Sequence, residues 1–135
     1  MGRPSAIVAF VTAQKPAEPK DPLDALRDEL RTFVAEREWQ PFHDPKNLSM
    51  AVASEAGELL ALFRWVRGDD ADDFAQKPEN RARISAEIAD VAVALLLLCD
   101  RTGIDLAQAI REKIEINRIN YPVAASRGRA DRPAR

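Results

Sequence analysis

Four acidic residues carry the strongest chemical signal in this chain. Glu55 and Glu58 stand in the segment E-A-G-E at 55–58, and Glu87 and Asp90 in E-I-A-D at 87–90. Each pair is spaced i,i+3, so on a helix both carboxylates leave one face. With a helical period, Glu55 and Glu58 share that face with Leu48, Ala51, Val52, Leu59 and Leu62, and Glu87 and Asp90 share theirs with Ile84, Val91, Ala94 and Leu98. The acids therefore interrupt apolar stripes instead of lying on solvated backs. Like charges at this spacing destabilise an isolated helix by ~0.2–0.5 kcal/mol. Burying an unpaired carboxylate costs several kcal/mol more or forces its protonation. Two such pairs on helices that can pack antiparallel ask for a common counterion, and one divalent cation among four carboxylates is the simplest. A single E-x-x-E is ordinarily a solvated face; two of them on apolar stripes point to a metal. Gly57, a poor helix residue, suggests close approach of another backbone or a ligand at this point.

The ligand types narrow the metal. Cys99 is the only cysteine and His43 the only histidine, so oxygen must do the binding, which favours Mg²⁺, with Mn²⁺ as the alternative. A di-iron bundle would need Glu-x-x-His on two helices; here the third positions after Glu55 and Glu87 are Glu58 and Asp90. Oxygen-only ligation of a hard cation implies a phosphate-bearing substrate. The charge balance agrees. The net charge of the 135 residues is −2, and residues 123–135 hold a local +3 from four Arg and one Asp, leaving −5 for residues 1–122. An acidic body suits a cation site and not a nucleic-acid groove.

The elements that must position these acids are helices. At 46% hydrophobic and 31% charged, the composition is that of one folded domain. Residues 1–20 contain Pro4, Pro16 and Pro19 without a sustained period and read as a loose arm; 21–122 form the helical domain; 123–135 read as a flexible basic tail. Four helical stretches are predicted: Pro22 to about Arg37, Pro45 to about Val66, Pro78 to about Thr102, and one from Asp105 to Pro122. Asp44 is an N-cap with Pro45 at the first helical position. Asp69–Asp73 form an acidic loop, Gly103 stops the third helix, and Asp105 with Gln108 makes a capping box. Long helices with short connections predict an all-α, antiparallel four-helix bundle. Val91–Cys99 is apolar all round and must be covered on every side, which four helices cannot do alone, so a homo-oligomer is expected, a tetramer before a dimer. The apolar run Ala6–Val11 is too short for a signal peptide, and nine residues at Val91–Cys99 fall short of the ~20 a membrane helix needs. A cytoplasmic protein is expected.

A second set of residues could complete the site. Lys113, Asn117 and Arg118 lie at the end of the last helix, where a cation, an amide and a guanidinium could hold phosphate oxygens and a polar base or sugar edge; basic residues there also serve as helix-dipole partners. Trp39 and Trp65 flank the first acidic helix. They could be core residues, or could sandwich a nucleobase, a contact worth ~1–3 kcal/mol per base. His43 and Asn47 lie between them.

Three segments together resemble a known family: E-R-E-W-Q-P-F-H-D-P-K-N-L-S-M-A-V-A-S-E-A-G-E-L-L-A-L-F-R-W, then E-I-A-D-V, then K-I-E-I-N-R-I-N-Y-P. They resemble the MazG-like, all-α nucleoside triphosphate pyrophosphohydrolases, and most of all the dCTP pyrophosphatase branch, over residues 23–122. The resemblance implies Mg²⁺-dependent hydrolysis of a nucleoside triphosphate to monophosphate and pyrophosphate in an oligomer. It implies metal ligation by Glu55, Glu58, Glu87 and Asp90; of these, Glu55 or Glu58 is the expected base for the attacking water. Substrate contacts would come from Trp39, His43, Asn47, Trp65, Lys113, Asn117, Arg118 and the motif's Tyr121. The dCTP-hydrolysing members carry a His nine residues before the first Trp and a Tyr four residues after the last Asp. Here these positions are Leu30 and Ala94, so a preference for dCTP-like pyrimidine nucleotides with looser selectivity is expected. Two rivals stand beside this reading: a non-catalytic helical oligomerisation module whose acids are salt-bridge partners, and a pyrophosphohydrolase of the same fold acting on phosphoribosyl-ATP. Neither a nucleic-acid polymer nor a membrane is an expected partner.

Overall fold

The computed structural model describes residues 21–130. The proline-containing arm at 1–20 and the end of the basic tail lie outside the described residues. Within them all regular structure is helical: α1 Pro22–Glu36, α2 Pro45–Phe63, α3 Ala71–Gln76, α4 Pro78–Thr102, α5 Leu106–Asn120 and α6 Val123–Ser126, with single 3-10 turns at Gln40–Phe42 and Gly68–Asp70.

The boundaries follow from caps. Asp21 accepts from the Leu23 N–H at 2.9 Å, and Pro22 supplies the fixed φ of a first helical residue. At the far end of α1 the Trp39 N–H reaches Val34 O at 3.1 Å and the Glu38 N–H reaches Ala35 O at 3.0 Å. This is a Schellman closure, and it puts Glu38 at φ 54, a left-handed position that costs a residue with a Cβ about 1 kcal/mol. The 3-10 turn that follows is tied to α2 from both sides: Asp44 accepts from the Asn47 N–H at 2.9 Å, and Asn47 Nδ2 donates to Phe42 O at 3.1 Å.

Three local expectations change. The acidic stretch after α2 is not a loop: Gly68–Asp70 makes a 3-10 turn and Ala71–Gln76 a helix. Phe74 docks edge-on against Phe63 with ring centroids 5.6 Å apart. Asp72 and Asp73 sit in the first turn, where the helix dipole favours anions. α2 closes at Phe63, three residues early, with the Val66 N–H turned onto Phe63 O. The capping box of α5 is half formed. Asp105 accepts from the Gln108 N–H at 2.9 Å, but the Gln108 amide points down the helix to Glu112 at 2.8 Å.

The most extensive packing joins α2 to α4; α1 and α3 also lie on α4. Arg31 clamps α1 to the end of α4, its Nε donating to Asp100 Oδ1 at 2.8 Å and its Nη2 to the same oxygen. The buried side chains, Val34, Leu48, Ala94, Leu96 and Cys99, mark a core shared by α1, α2 and α4. α5 contributes none, and its Ile110, Ile114, Ile116 and Ile119 stay exposed. α4 is not covered on every side within one chain, since Val93 in its apolar run remains exposed.

Candidate active site

The antiparallel seam between α2 and α4 brings the acidic pairs together. One carboxylate oxygen each from Glu55, Glu58 and Glu87 lies within 4.8 Å of the others. Asp90 is outside that tightest group but close enough to act on it. The Glu55 carboxyl is raised above the usual glutamate range, first by burial and then by the negative charges of Glu58, Asp90 and Glu87. No cation is among the charges acting on Glu55. Mutual repulsion is thus left uncompensated by the described residues, as expected of a donor set built for a hard divalent ion. Glu55, Glu58, Glu87 and Asp90 are the residues that could hold one. Gly57, in the middle of the first pair, has open space where a Cβ would stand. Close approach of another backbone among the described residues is therefore not the reason for a glycine there.

The remaining sequence-derived residues are dispersed. Trp39 packs edge-on against Phe33 at 5.8 Å and against His43 at 6.3 Å. Trp65 is 87% exposed, with the Arg64 guanidinium 5.3 Å from its ring. The two tryptophans lie beyond opposite ends of the 19-residue α2, which at 1.5 Å per residue is about 28 Å long. They cannot sandwich one base within a single chain. Asn47 is engaged in holding the turn before α2. On α5, Arg118 is ion-paired to Glu115, Lys113 and Asn117 are exposed, and the Tyr121 N–H caps the helix at Asn117 O, 2.8 Å away. Among the described residues no hydrogen bond or ion pair joins these α5 residues to the acids.

His43 belongs to a feature that sequence reasoning missed. A groove of about 280 Å³ is lined by Arg31, Val34, Ala35, Gln40, His43, Leu48, Leu97, Asp100 and Arg101. It opens at the end of the α2–α4 seam opposite α3. The signal was present: Glu87, Asp90, Ala94, Leu97 and Arg101 are spaced by three and four, one continuous stripe of α4.

Comparison with known proteins gives three findings. The model of the MazG-like family matches residues 50–132. Among curated proteins, dCTP pyrophosphatase 1 of Mus musculus is 40% identical over 112 residues, covering 83% of this chain and 66% of that protein. The Homo sapiens protein of the same name is 37% identical over 109 residues, covering 81% and 64%. The chain therefore spans just under two thirds of the length of these relatives. Among solved structures, a pyrophosphatase from Archaeoglobus fulgidus superposes with a TM-score of 0.73 at 35% identity, over 80% of this chain and 99% of that one.

Proposed function

The chain belongs to the MazG-like family, on its dCTP pyrophosphatase branch, and from that premise we propose that it hydrolyses (deoxy)nucleoside triphosphates, dCTP-like pyrimidine nucleotides foremost, to monophosphate and pyrophosphate. The observation that carries this reading is the convergence of Glu55, Glu58 and Glu87, with Asp90 beside them, where no ion pair to a cation is formed among the described residues. Magnesium held by these four would neutralise phosphate charge and the departing pyrophosphate. Glu55 or Glu58 takes the proton of the water that attacks the α-phosphorus. Lys113 and Arg118 grip phosphate oxygens, and Asn117 and Tyr121 close on the sugar and base.

Those α5 residues act in an assembly. An α5 without a buried residue, and a Trp65 standing about 28 Å along α2 from Trp39, fit a bundle completed by further copies, in which Trp65 of one chain serves the site of another. We take the assembly to be a tetramer working on the cytoplasmic nucleotide pool, clearing surplus or non-standard nucleotides. No helix among the described residues is long and apolar enough to cross a membrane. The test is a panel of nucleotides with Mg²⁺, assayed for pyrophosphate and monophosphate. Stoichiometric pyrophosphate is expected; release of orthophosphate alone, or no turnover, rejects the proposal.

A further inference from the structure

The groove at the end of the α2–α4 seam lies in line with the acidic cluster. On α4, Leu97 and Arg101 continue the stripe of Glu87 and Asp90, about 10 and 16 Å beyond Asp90 at 1.5 Å per residue. On α2, Leu48 lies two turns before Glu55 on the same stripe. The small, buried Ala94 stands between the two places on the same stripe of α4. An extended nucleotide whose phosphates meet the acids would direct its base along this seam.

The groove has an apolar floor and a polar rim. Val34, Ala35, Leu48 and Leu97 form the walls, and Leu48 is 4% exposed, so the groove reaches the core. On the rim, the Arg101 guanidinium and the Gln40 amide make no hydrogen bond or ion pair among the described residues, and both can donate. Asp100 is different. Arg31 delivers two hydrogen bonds to its Oδ1, and Arg27 Nε lies 4.0 Å from that same oxygen, while Oδ2 takes none among the described residues. A carboxylate fixed at one oxygen and open at the other is an oriented acceptor beside free donors.

We propose that this groove reads the substrate's base, with Asp100 as a specificity-determining residue that accepts from the 4-amino group of cytosine while Arg101 and Gln40 donate to the ring's acceptor atoms. This rests on the nucleotide reading of the acidic site and deepens it. Cytosine presents an amino donor beside two acceptors, and an Asp or Glu accepting from that amino group is an established pairing. Uracil puts a carbonyl oxygen in the amino group's place, facing the open oxygen of Asp100. The groove's size suits one ring. Arg31 is a positioning residue, acting only through the Asp100 carboxylate. The mode of recognition also replaces what Leu30 and Ala94, which bear no polar group, cannot supply.

The experiment compares dCTP with dUTP, which differ at this edge of the ring. The full chain with Mg²⁺ should show kcat/KM 10- to 100-fold higher for dCTP, the yield of about one hydrogen bond to a charged group. In Asp100→Asn the oxygen toward Arg31 is retained and the open position becomes an N–H₂ donor, so the ratio should fall at least tenfold, with dUTP hydrolysis holding or rising. A purely structural Asp100 would lower both substrates alike, and an unchanged ratio overturns the proposal. Leu97→Trp gives a second reading that does not touch the ion pair. It fills the groove and should raise KM for dCTP at least tenfold; an unchanged KM overturns the proposal as well. Wild-type inactivity on every nucleotide would overturn the nucleotide reading itself and this inference with it. Turnover with unmoved ratio and KM would sink the inference alone.

Discussion

The α2–α4 seam and helix α5 each carry half of the residues that resemble a nucleotide site, yet the chain treats them differently. The seam is placed by its own packing: Leu48, Ala94 and Leu96 are buried, and the acids are drawn together against their mutual repulsion. α5 carries Lys113, Asn117 and Arg118 but buries nothing, and its exposed isoleucines lie on two faces, Ile110 with Ile114 and Ile116 with Ile119. A helix with apolar residues exposed on two faces and so poorly covered gains stability when something else covers it. The contrast teaches that the acidic cluster is a property of the single chain, whereas the cationic residues of α5 join it only in the assembly proposed above.

The largest effect expected is at the seam. Glu58→Gln and Asp90→Asn should each lower kcat by about 1,000-fold or more, roughly 4 kcal/mol of transition-state stabilisation. Their circular dichroism should match wild type, because removing one acid relieves repulsion. Near-wild-type turnover in either would break the assignment of the seam as the reaction centre. Next comes α5. Ile119 is 79% exposed in one chain, and a surface substitution of that kind changes monomer stability by about 0.5 kcal/mol at most. If copies cover it, Ile119→Asp should lower the mass seen by light scattering and reduce kcat/KM by 10- to 100-fold. A variant with unchanged mass and activity would dissolve the distinction between chain and assembly.

Two smaller effects sharpen the seam. Magnesium at one hundred times its dissociation constant should stabilise the protein by about 2.7 kcal/mol, read as a rise in Tm that Asp90→Asn lacks; a set of salt bridges would not respond in this way. Without metal, the raised Glu55 carboxyl binds its proton more tightly folded than unfolded. Its contribution to stability is therefore most favourable at low pH and declines as pH rises from the ordinary glutamate value through the folded one. The Tm difference between Glu55→Gln and wild type should widen over that window in the variant's favour, and shrink when Mg²⁺ is added. A difference independent of pH would show that Glu55 is not strained by its neighbours.

Much of this arrangement was legible in the sequence because it depends on local signals. Asp44 with Pro45, Gly103 and Asp105 mark helix ends through their own hydrogen bonds and dihedral preferences, and the i,i+3 acids announce their shared face. α3 was not legible, since six residues are too few to establish a period and its Phe74 contact with Phe63 is tertiary. The left-handed Glu38 carries none of the usual glycine or asparagine signature. The paired reading of Trp39 and Trp65 does not hold within one chain, because the 19-residue α2 keeps the two rings apart. The role of Asp100 was hidden for a related reason: its orientation is set by Arg31, 69 residues away in sequence.

Cys99, buried between α1 and α4, offers a clock for this molecule. Burial pushes its thiol up, with Arg27 opposing in part, so an external disulfide reagent reacts slowly while α1 lies on α4. The rate of labelling at saturating reagent then reports how often α1 lifts from α4, and at low reagent it reports the fraction of time spent lifted. As the only cysteine in the chain, it needs no competing thiols removed. Ligands that hold α1 against α4 will slow the clock.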